Sequence, residues 1–208
     1  METMEYGSVT AQTVLLQPVD GHDAETIGNE LALIRESAGE DFRLIAFRVG
    51  DWNRDLSPWQ APAVFGREDF GGRARETLDG ILSCCSDRTK TYFIGGYSLA
   101  GLFALWAACE TDMFSGVAAA SPSVWFPGFP AYLREHEVLS RHVYLSLGDR
   151  EERTRNPVMR TVGDEIRAAY ALLRDRGTDC TLEWNEGNHF RDADARTAKA
   201  FAWVMKRA

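Results

Sequence analysis

Short apolar runs alternate with amphipathic stretches along the whole chain. Thr13–Gln17 (TVLLQ), Phe42–Val49 (FRLIAFRV), Tyr92–Gly95, Gly116–Ala120, His142–Leu147 and Cys180–Trp184 are apolar, β-favouring runs of strand length. Between them apolar residues recur at helical spacing. Ile27, Leu31 and Ile34 form one stripe, in a helix starting near Asp23 and stopping at Gly39, and Ala74, Leu78 and Ile81 form another. The spacing predicts a helix over Asn156–Arg176, with Asn156 as cap, Pro157 in the first turn and Gly177 closing it; its stripe is Met159, Val162, Ile166, Tyr170 and Leu173. A last helix, Asp192–Lys206, turns Ala195, Ala198, Phe201, Ala202 and Met205 inward. Near-continuous apolar strands separated by helices predict an α/β fold, a mostly parallel central sheet with helices on both faces. Ligands of such sheets bind beyond the carboxyl ends of the strands, so the chemistry is sought in the residues just after each strand.

Composition narrows the class. With 208 residues, 45% of them hydrophobic and 26% charged, the chain reads as one soluble globular domain over residues 1–208. The net charge of −8, without a basic block, argues against a nucleic-acid partner. No run of about 18 apolar residues suggests a membrane span, and METMEYGSVTAQ does not look like a secretory signal, so a cytoplasmic location is expected. Cys84, Cys85, Cys109 and Cys180 lack metal-ligand spacing and read as reduced thiols, with Cys84–Cys85 in a helix and Cys109 ending another.

Thr91–Ala108 reads TYFIGGYSLAGLFALWAA, a β-favouring run, a Gly-rich turn centred on Ser98, and a Leu/Ala-rich run from Leu99 that suits a buried helix. A serine at a sharp strand-to-helix turn needs small neighbours, and Gly95, Gly96, Ala100 and Gly101 supply them. This is the pattern of a nucleophile elbow, with Ala100 in the place of the second glycine of G-x-S-x-G.

A serine hydroxyl needs a base to take its proton. Of the four histidines, His22 follows the first strand, and His136 and His142 read as surface residues. His189 lies in the loop NEGNHF after the last strand, from which its ring can return over the elbow. The acid that steadies the imidazolium should fall between Ser98 and His189 in sequence and after a strand. The segment SLGDREERTRNP offers Asp149, Glu151 and Glu152; Glu151 is favoured, because the loop can turn inward a few residues past Gly148, and Asp149 is the rival. An oxyanion needs two N–H donors. One is expected from Leu99, at the helix N-terminus, and the second from Val19 or Asp20, since Pro18 has no N–H.

Further segments carry a resemblance. Arg54-Asp55-Leu56-Ser57-Pro58 is similar to the R-D-[LFY]-[ST]-P stretch, and Ser121-Pro122-Ser123-Val124-Trp125 to the S-P-S-x-W signature, of enterochelin-esterase-like enzymes. With GYSLAG, GDRE and GNHF, the chain from about Thr13 onward resembles the esterase D superfamily of α/β-hydrolases, which also includes S-formylglutathione hydrolases and mycolyltransferases. The resemblance implies an α/β-hydrolase fold and a carboxylic-ester hydrolase using Ser98, Glu151 and His189, with Trp125 beneath the site as a support. Measured against that family the chain looks N-terminally shortened, without the part that larger relatives use to bind siderophores, and a small-molecule ester other than a siderophore is expected. No metal or cofactor is expected.

The loop Gly50–Phe70 offers an aromatic and polar wall for such an ester: Trp52, Trp59 and Phe65, with Asn53 and Arg54 as polar contacts. Arg153 and Arg155, close to the acid turn, could meet an anionic substrate but read more simply as solvated arginines. Two other functions stay open at this point, transfer of the acyl group to an acceptor other than water, and a non-catalytic binding role on the same fold.

Overall fold

The computed structural model describes residues 1–207. Its strands are β1 (Glu2–Gly7), β2 (Thr13–Val19), β3 (Arg43–Arg48), β4 (Gln60–Ala61), β5 (Phe70–Gly71), β6 (Thr91–Tyr97), β7 (Phe114–Ala120), β8 (His142–Gly148) and β9 (Asp179–Asn185). Its helices are α1 (Gly21–Ala38), α2 (Trp52–Leu56), α3 (Ala74–Leu82), α4 (Leu99–Glu110), α5 (Phe129–Glu135), α6 (Val162–Asp175) and α7 (Ala193–Met205).

Seven strands form one sheet in the order β1-β3-β2-β6-β7-β8-β9, parallel throughout except for β1, which runs antiparallel to β3. The inner strands are apolar on both faces because both faces are covered. On one face, α1 and α7 bury Ile27, Leu31, Ile34, Phe201 and Val204 against Leu15, Phe93 and Tyr144. On the other, α3, α4 and α6 bury Leu78, Phe103 and Ile166 against Leu16, Ile94 and Leu145. Phe201 is fully buried, and truncating such a ring to Ala typically costs about 3–5 kcal/mol.

The chain leaves β2 toward β3 and later returns to the other side of β2 as β6. Strand order thus reverses between β2 and β6, and the loops at their carboxyl ends diverge to leave a crevice. Ser98 follows β6 at that point.

Several elements depart from the sequence reading. β1 was not anticipated, since its alternating, mostly exposed residues lack an apolar run. The segment read as a loop over Gly50–Phe70 contains α2 and β4, with β5 starting at its end, and α5 follows the S-P-S-x-W segment. The helix expected from Asn156 begins at Val162. Asn156 Oδ1 instead accepts from Val158 N (3.0 Å) and Met159 N (3.2 Å), just ahead of a short 3-10 turn over Met159–Thr161. α1 begins at Gly21, earlier than Asp23, because Asp20 is its cap, with a reciprocal Asp20–Asp23 capping box. Cys84 and Cys85 lie just past the end of α3 rather than inside it. All four cysteines are free, and burial pushes the thiols of Cys85 and Cys109 up to about 12, which keeps them protonated.

Candidate active site

Ser98 occupies the turn between β6 and α4 with φ 57° and ψ −118°, a conformation that L-residues rarely adopt. Close packing around the turn explains its small residues. A Cβ on Gly95 would stand 2.6 Å from Ala118, and one on Gly96 would stand 2.6 Å from the Ala100 Cβ, so neither glycine has room for a side chain. Ser98 N is held by Ala120 O at 3.0 Å, which anchors the turn to β7.

The loop after β9 brings His189 back over this turn. Its Nε2 lies 2.9 Å from Ser98 Oγ and its Nδ1 lies 2.6 Å from Glu151 Oε2. An ionised carboxylate only accepts hydrogen bonds, so Nδ1 donates to Glu151 and Nε2 is left to accept from the serine hydroxyl. Of the three acids weighed from sequence, Glu151 is therefore the one that meets the imidazole. Asp149 Oδ1 instead accepts from Gly187 N (2.8 Å) and braces the histidine loop, while Glu152 pairs with Arg167 at 3.1 Å.

The carboxylate is tightly held. Its side chain is 5% exposed, and Oε1 accepts from Gly148 N (2.7 Å), Ser121 Oγ (2.8 Å) and Arg196 Nη1 (3.0 Å). Arg196, on α7 and 3% exposed, was missed in the sequence. Its Nη1 also reaches Tyr97 Oη (3.0 Å) and Ser121 Oγ (3.3 Å), and its Nη2 donates to the Glu186 carbonyl (3.1 Å) and the Asn188 carbonyl (3.2 Å). Tyr97 Oη in turn donates to the His189 carbonyl at 2.8 Å. Burial, reinforced by the Glu151 charge, pushes the Tyr97 phenol up to about 12, so it stays neutral and able to donate. The sequence held one clue to Arg196: it precedes Ala200 and Val204 at four-residue steps, on a side of α7 that is buried.

The S-P-S-x-W segment serves three neighbours. Ser121 bonds the acid, Ser123 Oγ lies 3.3 Å from Ser98 Oγ, and Trp125 lines a cavity of about 380 Å³ beside His189. The Trp125 ring also packs edge-on against Phe65 at 6.0 Å. The rest of this cavity is formed by Arg150, Arg153, Met159, Val162 and Phe190, among others.

Trp52, Asn53 and Arg54 do not line this cavity. The Arg54 side chain packs along Gly71 and pairs with Asp55 at 2.8 Å. Trp52 packs against the apolar core. Trp59 is also turned away from the cavity, donating its indole N–H to the Pro127 carbonyl at 2.8 Å.

Leu99 opens α4, so its N–H has no partner inside the helix. The two N–H groups considered as second donors are both engaged. The Val19 carbonyl accepts from Val49 N, and since the N–H and C=O of a strand residue share one edge, the Val19 N–H also points toward β3, away from the serine. Asp20 N donates to Asp23 Oδ2 at 3.3 Å. Burial, together with the Asp20 charge, pushes the Asp23 carboxyl up to about 6.

Among the described residues, no group of three or more His, Cys, Asp or Glu side chains is arranged to hold a metal ion, and no helix is long and apolar enough to cross a membrane.

No protein-family model and no curated protein matches the sequence. Solved structures do. Siderophore hydrolase EstA from Aspergillus nidulans is 20% identical at a TM-score of 0.68, over 97% of this chain and 86% of that one. An IroE-like serine hydrolase from Shewanella oneidensis is 15% identical at a TM-score of 0.71, over 96% of this chain and 72% of that one. The enterobactin esterase FES from Shigella flexneri is 15% identical at a TM-score of 0.66, over 99% of this chain and 55% of that one. These likenesses show the fold: the seven-stranded sheet and its helices are those of an α/β-hydrolase.

Proposed function

We propose that this protein is a serine hydrolase of small carboxylic esters. The observation that carries the reading is the continuous chain of contacts from Ser98 Oγ through the His189 ring to Glu151, 2.9 Å and 2.6 Å long, at the carboxyl ends of three parallel strands. In this reading His189 Nε2 takes the hydroxyl proton as Ser98 Oγ attacks the ester carbonyl. Glu151 stabilises the resulting imidazolium without taking its proton. When the tetrahedral intermediate collapses, the C–O bond to the alcohol breaks and Nε2 gives its proton to the departing oxygen. Water then attacks the acyl-enzyme, with His189 again as base, and releases the carboxylic acid and free Ser98.

The Leu99 N–H is assigned to the oxyanion, aided by the positive end of α4. Asp20 is assigned as the second donor. Its N–H leaves β2 on the edge opposite that of Val19, toward β6, and would exchange Asp23 Oδ2 for the developing oxyanion. A cavity of about 380 Å³ suits a compact substrate. The structural neighbours, a siderophore hydrolase, a serine hydrolase and an esterase, agree with an ester-hydrolysing role.

The test is to treat the protein with a fluorophosphonate probe, locate the label by mass spectrometry, and assay 4-nitrophenyl acetate and butyrate. Labelling at Ser98 with turnover of either ester is expected. No labelling of Ser98 together with no turnover would overturn the reading.

A further inference from the structure

The segment that follows β8 carries four arginines, Arg150, Arg153, Arg155 and Arg160, of which Arg150 and Arg153 lie at the candidate site. The three acids interspersed with them are engaged elsewhere. Asp149 is bonded to Gly187 N, Glu151 to Arg196 and His189, and Glu152 to Arg167. Among the described residues, Arg153, Arg155 and Arg160 have no carboxylate within ion-pair distance, and Arg150 has only a 3.9 Å approach to Asp149. In a chain of net charge −8, this is a local cationic concentration with no internal counterpart. Arg150 and Arg153 line the cavity itself, together with the apolar side chains of Trp125, Met159, Val162 and Phe190. Phe190 is 91% exposed.

The cavity's position also says which half of an ester it suits. It is lined by His189, whose imidazolium hands its proton to the leaving oxygen, and not by Ser98 or Leu99, which meet the acyl carbon and its oxygen. We infer that this cavity takes the alcohol half of the ester, and that this alcohol joins an apolar body to an anionic group, a carboxylate or a phosphate, held by Arg153 and Arg150. The inference rests on the serine-hydrolase reading for its chemistry. The apolar side chains receive the body, and the two guanidiniums meet the anion at the rim, where a bidentate pairing gives orientation as well as attraction.

Three acetyl esters test it: 4-acetoxybenzoate, 4-acetoxyphenyl phosphate and the uncharged methyl 4-acetoxybenzoate. The readout is the ratio of kcat/KM for a charged ester to that for the methyl ester, compared between wild type and variants, which removes differences in leaving-group reactivity. Arg153→Gln is expected to lower this ratio about fivefold, as fits loss of one rim charge pair. The double variant Arg150→Gln/Arg153→Gln should lower it by about tenfold or more if the two charges act nearly independently. Added salt should shrink the wild-type preference. Whichever charged ester shows the larger change identifies the anion as carboxylate or phosphate. A ratio that stays within about twofold of wild type in the double variant, for both charged esters, overturns the inference while leaving the hydrolase intact, since it falls well short of the roughly tenfold change expected. If the protein hydrolyses nothing and Ser98 is not labelled, the hydrolase reading fails instead. Calorimetric binding of 4-acetoxybenzoate and 4-acetoxyphenyl phosphate to Ser98→Ala, with and without the arginine substitutions, then decides the anion site alone. Equal binding with and without the arginines overturns it.

Discussion

The Arg196 guanidinium lies 3.0 Å from Glu151 Oε1, and the two side chains are 3% and 5% exposed. An ion pair so deeply buried is sensitive to loss of one partner, because the other is then left as an unpaired charge. Arg196→Met should therefore lower unfolding free energy by about 3–5 kcal/mol in urea titrations. Because Arg196 also holds the Glu186 and Asn188 carbonyls, the variant that keeps the charge is informative too. Arg196→Lys should remain folded yet lose at least about tenfold in kcat with little change in KM, since lysine cannot reproduce the guanidinium's several directed bonds. Partial return of kcat on adding guanidinium ion to a folded Arg196→Ala would identify Arg196 as a positioning residue. A kcat unaffected in Arg196→Lys would leave it a purely structural one.

Ser98 sits at φ 57°, where a glycine is unstrained and a serine is not. Ser98→Gly is expected to abolish ester turnover while raising stability by roughly 1 kcal/mol or more, read as a higher melting temperature in calorimetry. Ser98→Ala should be equally inactive without that gain. If Ser98→Gly melts below wild type, the strain argument fails.

Two acids compete in one loop, and their contacts separate them. Glu151→Gln should lower kcat/KM by roughly three to four orders of magnitude, since the histidine loses the carboxylate that orients it. Asp149→Asn should stay within about tenfold of wild type, because Asp149 touches the histidine loop only through the Gly187 N–H, a bond of ordinary strength. Steady-state kinetics on 4-nitrophenyl acetate decides the matter, and the reverse order of effects would transfer the acid's role to Asp149.

A second buried acid lies away from this site. Glu30 is 4% exposed and accepts from Gln17 Nε2 at 3.2 Å. Burial, with nearby Asp23 and Asp194 adding to it, pushes its carboxyl from 4.5 up to about 8. Between those values the folded protein holds a proton that the unfolded chain has released, so stability falls as pH rises through the window and levels off above it. Glu30→Gln removes that dependence. The variant should gain on wild type by roughly a few kcal/mol between about pH 4 and pH 9, measured by urea unfolding across the range. A difference that does not grow with pH would show that Glu30 ionises freely in the fold.

What the sequence revealed depended on how far apart the interacting residues are along the chain. The elbow could be read because Gly95, Gly96, Ala100 and Gly101 are immediate neighbours of Ser98. His189 followed from its place after the last strand. Arg196 gave little sign, since its bonds to Tyr97 and Ser121 join residues 99 and 75 positions apart, and an arginine on a terminal helix is ordinarily solvated. The orientation of the aromatic residues in the Gly50–Phe70 segment was illegible for a related reason. Trp52 and Trp59 have a composition that suits a pocket, but only the packing of Trp59 on Phe126 and Tyr132 shows the direction its ring takes. β1 escaped because an edge strand with one solvated face carries no apolar run.

β9 is the outermost strand on the parallel side of the sheet, paired only with β8, and its residues are mostly half-exposed. The serine hangs from β6 in the middle of the sheet, whereas the histidine hangs from this margin. Opening on heating begins where tertiary support is thinnest. Warmed gradually, the protein should therefore fall silent while most of its helix and strand signal persists, and recover on cooling. The placing of the histidine then depends on one border strand, and pinning that strand should extend activity on warming.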